Sequence, residues 1–282
     1  MTLPPSLSVS VVILTLNEES HLPACLASLA GVDDIVVLDS GSTDRTAEIA
    51  TAAGARVIVN PFFDFATQRN FAHEKISFRH PWVFHLDADE QMTPGLLAEC
   101  ATLPADAPFD GYYVAPRMMF HGRWLRRCTD YPAWQARCVR AKIFRFIQVG
   151  HGQREAPGMR MGFLHDAYLH DISAPDIKEW EGKHRSYAKK EAVRSFVERR
   201  NMGIILRMPV TSSALERRRA LKLLSYLMPF RPFLRFIYQY VLRGGFLDGR
   251  GAFRYCLLLS RYERFAAEEL AKLRRAYHAD HG

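Results

Sequence analysis

The residues Asp87, Asp89 and Glu90 follow directly on Trp82-Val83-Phe84-His85-Leu86, a run that is mostly apolar. So short a run reads as a buried strand, with a short helix the alternative. A strand ending at Leu86 or Asp87 places both aspartates at its carboxyl end, outside which open parallel α/β sheets bind their ligands. Residues two apart in extended chain point the same way, so the two carboxylates can converge on one point. Hard oxygen donors arranged so suit Mg²⁺ or Mn²⁺, and a diphosphate would complete the coordination shell. The plainer reading of Asp-Ala-Asp is a polar loop after a strand, and the preceding chain weighs against it.

That chain alternates strands and helices. Ser8 to Leu16, rich in Val and Ile, reads as a buried strand. Asn17 is placed to cap a helix, with Glu18 and Glu19 in its first turn, Leu22, Leu26 and Leu29 as its apolar stripe and Gly31 as its stop. A second strand spans Asp34 to Leu38, and Ser42 or Thr43 caps a helix that runs to about Ala53. Arg56 to Val59 is a third strand, Phe65 to Lys75 is helical, and the strand before Asp87 is the fourth. This rhythm predicts an α/β domain with a parallel, doubly wound sheet. The first strand-to-helix turn, Thr15-Leu-Asn-Glu-Glu19, has no glycine, and no GxxxxGK[ST] occurs. Dinucleotide binding and a P-loop are therefore disfavoured, and a nucleotide would be held by side chains such as Asp39, beside the flexible Gly41.

Three segments occur in order: Val11-Val-Ile-Leu-Thr-Leu-Asn-Glu-Glu19, Val37-Leu-Asp-Ser-Gly-Ser-Thr-Asp44 and His85-Leu-Asp-Ala-Asp-Glu90. Together they resemble the nucleotide-sugar domain of inverting family 2 glycosyltransferases. Within that family the chain is similar to bacterial glucosyltransferases of the lipopolysaccharide core. Phe65-Ala-Thr-Gln-Arg-Asn-Phe71, Tyr131-Pro-Ala-Trp-Gln-Ala-Arg137 and Gly245-Phe-Leu-Asp-Gly249 look like further pieces of that group. The resemblance implies a GT-A fold (Rossmann-like, with a mostly parallel sheet), a UDP-sugar donor, a Mn²⁺ or Mg²⁺ cofactor and an inverting displacement. It puts Thr15, Glu18 (or Glu19), Asp39, Gln68, Asn70 and Asp87 around the nucleotide, and Asp87 and Asp89 on the metal. His170 matches a further metal ligand in some relatives. Trp134, Gln135 and Arg137 are candidates for the donor sugar or the acceptor.

Inverting transfer needs a base for the acceptor hydroxyl. The subfamily carries a His-Glu pair where this chain has Arg154-Glu155; Glu155 is the candidate base, with Asp130 and Asp166 behind it. Arg117, Arg123, Arg126 and Arg127 follow the strand that begins at Gly111, and arginine forks suit phosphate or carboxylate groups.

The 282 residues carry a net charge of +8, distributed unevenly. Through Ile177 there are 15 Lys+Arg against 20 Asp+Glu; from Lys178 onward there are 23 against 10. The five cysteines, Cys25, Cys100, Cys128, Cys138 and Cys256, have neither zinc-site nor disulfide-framework spacing. The start, MTLPPSLS, lacks the basic residues of a signal peptide, and no apolar stretch is long enough to span a bilayer. The basic end reads as helical: Tyr187 to Asn201, Leu215 to Met228, then apolar and aromatic segments Phe233 to Leu242 and Ala252 to Leu259, with Pro229 and Pro232 as breaks. Short apolar segments flanked by arginine describe helices lying in a membrane interface, where anionic lipid adds attraction. No nucleic-acid-binding signature is present.

The expected organisation is a nucleotide-sugar domain over residues 1–120, an acceptor-side segment over 121–175 and a basic, membrane-associating helical region over 176–282. The expected function is transfer of a hexose, glucose foremost, from UDP to a lipid-linked or lipopolysaccharide-core acceptor. The expected place is the cytoplasm, peripherally attached to the inner face of the cytoplasmic membrane, with that anionic surface as partner. The alternative is a membrane-bound scaffold or glycan-binding protein on a GT-A fold that has lost its chemistry.

Overall fold

The structure is a computed structural model that describes residues 9–149, 152–173, 176–199 and 230–281. The chain forms two compact units, Met1–Met119 with Asp130–Asp171, and Phe120–Thr129 with Ile172–Gly282.

The first unit opens with β1 (Ser10–Thr15), α1 (Leu22–Ala27), β2 (Ile35–Asp39), α2 (Thr46–Ala52), β3 (Arg56–Val59), α3 (Phe65–Lys75) and β4 (Val83–Asp87). β1 pairs in parallel with β2 and β4, and β2 with β3. Thr15 lies opposite Asp39, and Leu14 opposite Asp87, so both aspartates end beside the last turn of β1. β1 and β2 are Val- and Ile-rich and, like β4, buried on both faces, as strands covered by helices require, whereas β3 at the sheet edge is partly exposed. One face packs Val11, Ile13, Val37, Phe84 and Leu86 against Leu22 and Cys25 of α1; the other packs Val12, Val36, Leu38 and Val83 against Ala72 of α3.

The sheet continues past β4 with β9 (Gln135–Val139), β6 (Gly111–Val114) and β12 (Met161–Phe163), in the order β12-β6-β9-β4-β1-β2-β3. β9 runs antiparallel to both of its neighbours, so the sheet is mostly parallel but mixed. A second sheet sets β13 (Tyr168–Asp171) between β5 (Glu90–Gln91) and β7 (Pro116–Phe120), with His170 opposite Glu90. A hairpin of β10 (Phe146–Val149) and β11 (Gly152–Glu155) brings Glu155 opposite Phe146. α4 (Pro94–Ala101) starts at Thr93, whose hydroxyl accepts from the Leu96 N–H.

Two helix starts differ from the sequence reading. α1 begins at Leu22 with His21 as its cap, and α2 at Thr46 with Arg45 as its cap. The residues expected to cap them lace the two loops together instead. Asn17, in the left-handed region at φ 56°, accepts from the Thr43 N–H, and the Asn17 N–H donates to Ser42 Oγ. The Glu18 N–H donates to Thr46 Oγ1 and the Glu19 N–H to Asp44.

The second unit holds the short strand β8 (Arg123–Trp124), α5 (Ile177–Arg199), α6 (Arg231–Phe236), a π-helical turn over Ile237–Leu242, a 3-10 turn over Gly245–Asp248 and α7 (Arg250–His281). α5 starts ten residues before the Tyr187 expected from sequence and packs on α7 through Ala188, Phe265 and Ala266. Pro232 opens α6 rather than breaking the chain, because a first-turn proline has no helix hydrogen bond to lose. The expected helix from Leu215 to Met228 lies outside the described residues. All five cysteines are buried and unpaired, and no described helix is long and apolar enough to cross a membrane.

Candidate active site

At the end of β4 the chain folds back so that the Asp87 N–H donates to Glu90 Oε2 at 2.8 Å. Asp87 is held from two sides. Arg69 of α3 donates to Oδ1 at 2.8 Å, and Arg137 of β9 donates to Oδ2 through both terminal nitrogens at 3.3 Å. Arg137 also reaches Glu90 Oε1 at 2.8 Å, the His85 carbonyl and Gln135 Oε1, with its guanidinium 4.9 Å from the centre of the Tyr168 ring. Arg69, Arg137 and Glu90 are buried, and the Asp87 side chain, 29% exposed, closes the group on its solvent side. Burial works against the Asp87 charge, yet Arg137 and Arg69 hold its carboxyl well below the usual range. Burial pushes Glu90 up, the adjacent Asp87 adds to this, and Arg137 opposes it. Arg69 is fully buried, its Nε and Nη1 have no hydrogen-bond partner in the described chain, and burial lowers its pKa. Ion pairs this deep contribute little net stability, so what they secure is geometry.

Asp89 faces differently. It is one-third exposed, and its Oδ2 stands 3.4 Å from Nε2 of His170. The β5–β13 pairing delivers that imidazole and puts its Nδ1 3.6 Å from the buried Glu90 Oε1. Burial lowers the His170 pKa, but Asp89 and Glu90 together raise it on balance. Among the described residues no three His, Cys, Asp or Glu side chains form a ready metal cage. The pair nevertheless fits a cation. Octahedral ligands at about 2.1 Å place cis donor atoms roughly 3.0 Å apart, a small adjustment from the separation here. An oxygen-plus-imidazole set suits Mn²⁺, and ligating histidines commonly turn their other nitrogen to a carboxylate.

The β2 end forms a second wall. Asp39 accepts from Thr15 Oγ1, from Ser42 Oγ and from the backbone N–H groups of Gly41 and Ser42. Burial opposes its charge, and the hydrogen bonds from Ser42, Thr15 and Gly41 outweigh it, lowering the Asp39 pKa. Gly41 takes φ 96°, which lets its N–H turn back to that carboxylate. Glu18 bonds His21 Nδ1 at 2.7 Å. Gln68 is buried and bridges Asn60 and Ser40, fixing the loop after β2. Asn70 exchanges two hydrogen bonds with the Phe146 backbone and so moors the β10–β11 hairpin to α3.

Glu155 belongs to a different group. Tyr113 Oη donates to its Oε1 at 2.7 Å; the Tyr113 ring lies 5.3 Å from Phe163, and Phe163 5.0 Å from Trp134. Burial, then the Glu155 hydrogen bond, push the Tyr113 hydroxyl up to about 12. Phe163 and Trp134 are 53% and 44% exposed, an open aromatic surface next to Glu155. Asp166 lies against Gly95 at the start of α4, with Arg117 3.9 Å away, and Asp130 is exposed.

The structure therefore gathers Asp87, Asp89, His170, Gln135 and Arg137 at one sheet end, with Thr15 and Asp39 on the neighbouring strand ends. Gln135 and Arg137, expected toward the sugars, are spent on the acidic group, and Arg137 is 2% exposed. Sequence reading missed Arg69, Tyr113 and the internal role of Glu90. Arg69 sits between Gln68 and Asn70 in a segment already singled out, but its partner 18 positions away is invisible in one dimension.

The sequence matches the model for glycosyl transferase family 2 over residues 10–162. It is 41% identical over 97 residues to the lipopolysaccharide core biosynthesis glycosyltransferase LpsC of Rhizobium meliloti, covering 33% of this chain. It is 34% identical over 105 residues to an uncharacterized glycosyltransferase of Rickettsia typhi, covering 37% of this chain. The matches span 35% of the length of each of these two curated relatives. Among solved structures, S. aureus TarS 1-349 in complex with UDP-GlcNAc aligns with a TM-score of 0.43 at 15% identity, covering 90% of this chain and 91% of that one. Glucosyl-3-phosphoglycerate synthase from Mycobacterium tuberculosis, in complex with Mn²⁺, UDP-glucose and glycerol 3-phosphate, gives 0.31 at 26% identity, covering 41% and 45%.

Proposed function

Given that the chain belongs to glycosyl transferase family 2, we propose that it is an inverting glycosyltransferase that moves a hexose from UDP to a lipid-linked or lipopolysaccharide-core acceptor. The observation that carries this reading is the division of labour at the β4 end. Asp87 is locked between two arginines, while Asp89 and His170 stay open to a ligand 3.4 Å from each other. Asp89 and His170 would hold a divalent cation, Mn²⁺ before Mg²⁺. Such an ion neutralises charge on the departing diphosphate. Thr15, Asp39 and the Gly41–Ser42 turn form the wall for uracil and ribose, with Glu18 at its rim. Gln68 and Asn70 support that pocket by holding the loop after β2 and the hairpin in place.

Glu155 takes the proton of the acceptor hydroxyl as that oxygen attacks the anomeric carbon from the face opposite UDP. Tyr113 donates to one Glu155 oxygen and leaves the other for the acceptor. Trp134 and Phe163 supply a stacking surface for a sugar ring beside it. The LpsC relative supports a lipopolysaccharide-core acceptor, and glucose is the first donor to try. The second unit carries the excess of Lys and Arg and exposes Phe230, Phe233 and Leu242, at 79%, 61% and 74%. Charge and apolar side chains on one unit suit peripheral attachment to an anionic membrane, at the cytoplasmic face where nucleotide sugars are available.

The test is UDP release from a panel of UDP-hexoses in the presence of Mn²⁺, with a core oligosaccharide acceptor. Turnover of UDP-glucose should fall at least about hundredfold in Asp89→Ala at unchanged thermal stability, the scale of losing one main electrostatic contact to the transition state. Full activity in that variant refutes the metal assignment.

A further inference from the structure

Two cavities of about 310 and 450 Å³ lie side by side in the second unit and share Arg250 and Arg254. The smaller adds Arg123 and His121; the larger adds Tyr240, Phe246 and Phe253. None of the three arginines has an ion-pair or hydrogen-bond partner among the described residues, whereas Arg231, Arg185 and Arg261 of the same unit are paired with glutamates. The arginines meet at the first turn of α7, the end of the helix whose dipole favours an anion, although the Ala252 N–H there is already bonded to the Gly249 carbonyl.

The segment Gly245-Phe-Leu-Asp-Gly249 builds this place. Asp248 is buried and accepts from the N–H groups of Arg127 and Cys128, which ties the β8 loop to the start of α7. Gly249 takes φ 87°, a backbone conformation in which any side chain would be strained, and the Arg123 guanidinium lies beside it. A side chain at Gly245 would run into the Gln239 carbonyl and Cys128. The Asp248 carboxylate bonds those amides and, among the described residues, forms no ion pair with the three arginines.

We propose that the paired cavities form a binding site for the phosphate headgroup of a membrane lipid. Arg123, Arg250 and Arg254 take the phosphate, whose oxygens suit guanidinium forks. The lipid's glycerol and upper acyl carbons lie along Tyr240, Phe246 and Phe253. The aromatic half argues for lipid over free phosphate, since Phe246 and Phe253 are 51% and 43% exposed and gain nothing from an inorganic ion. The inference rests on the membrane attachment proposed above and narrows it from a charged face to one headgroup site.

Vesicle flotation of the full chain tests it, using phosphatidylcholine alone and an equimolar mixture with phosphatidylglycerol. The Arg250→Gln/Arg254→Gln variant is compared with Arg264→Gln/Arg275→Gln, which removes the same charge from exposed positions further along α7. Both must keep the wild-type thermal midpoint; if the cavity pair does not, Arg254→Lys, which keeps the charge but loses the fork, replaces it. The expected result is partitioning to the anionic vesicles about tenfold weaker for the cavity variant than for the control variant, with no displacement of the wild type by free glycerol phosphate. Equal losses in the two variants overturn the site but leave surface attachment standing. Displacement by glycerol phosphate overturns the lipid source. A wild-type chain that ignores anionic vesicles overturns both the site and the attachment beneath it.

Discussion

Asp87 and Asp89 stand two residues apart and are predicted to fail differently. Replacing Asp87 by Ala leaves Arg69 and Arg137 buried with their shared counter-charge gone. Breaking a buried pair in this way costs roughly 3–5 kcal/mol, so Asp87→Ala should unfold at much lower urea. Among the described residues the Asp89 carboxylate is paired with His170 alone and is partly exposed, so Asp89→Ala should stay within about 0.5 kcal/mol of the wild type in the same titration. Equal destabilisation would show that the two carboxylates share one role. Glu155→Gln should lower kcat roughly 10²–10⁴-fold, the usual worth of a general base, while UDP affinity stays unchanged. Tyr113→Phe should have a smaller effect of the same kind, since it removes one hydrogen bond to that base. A Glu155→Gln enzyme with full kcat would send the search for the base back to Asp166 or Asp130.

At the scale of elements, strand ends were legible because burial and alternation speak locally. β3 and α3 fall where the sequence puts them, since Asn60-Pro61 closes the one and Asp64, which accepts from the Thr67 N–H, starts the other. Helix starts after β1 and β2 were not legible. Asn17, Ser42 and Thr43 have the chemistry of caps, but they spend it across 25 or 26 positions on each other's loops. The antiparallel β9 was equally hidden, because Gln135–Val139 carries no signal of its direction. Asn17→Ala should therefore destabilise by roughly 1–2 kcal/mol, through left-handed strain and the lost bond to Thr43, and Asn17→Gly should recover part of it. Asp34 ties three elements: Ser10 Oγ, the Arg79 N–H and Arg56 all donate to it. Burial opposes its charge, and the bonds from Arg79, Ser10 and Arg56 lower its pKa below the ordinary 3.8. A depressed carboxyl contributes stability above its unfolded value and loses it as pH falls through the folded one. Urea midpoints should thus drop as pH goes below about 4, and Asp34→Asn should flatten that drop. A pH profile unchanged by Asp34→Asn would contradict this account.

For the whole molecule, the first unit carries the acidic cluster proposed to hold the donor, and the second carries the excess of basic residues and exposed apolar side chains. The sequence showed that surface as a charge asymmetry and a set of apolar runs. It did not show which side chains stay outside: within the Phe233 to Leu242 segment, Phe236 and Tyr240 pack on Phe120 and Cys256, while Phe233 is strongly exposed. Attachment with both an electrostatic and an apolar part should weaken with salt without vanishing, and detergent should complete the release. Complete release by salt alone would leave no role for Phe230, Phe233 and Leu242. The central claim is that UDP meets a cation held by Asp89 and His170. Calorimetric titration of the full chain with UDP, in Mn²⁺ and in EDTA, tests it most directly. The account predicts binding at least about tenfold tighter with Mn²⁺, a coupling of roughly 1.4 kcal/mol, and loss of that difference in Asp89→Ala and His170→Ala. Equal affinity in Mn²⁺ and EDTA, or a full Mn²⁺ effect in both variants, would contradict it.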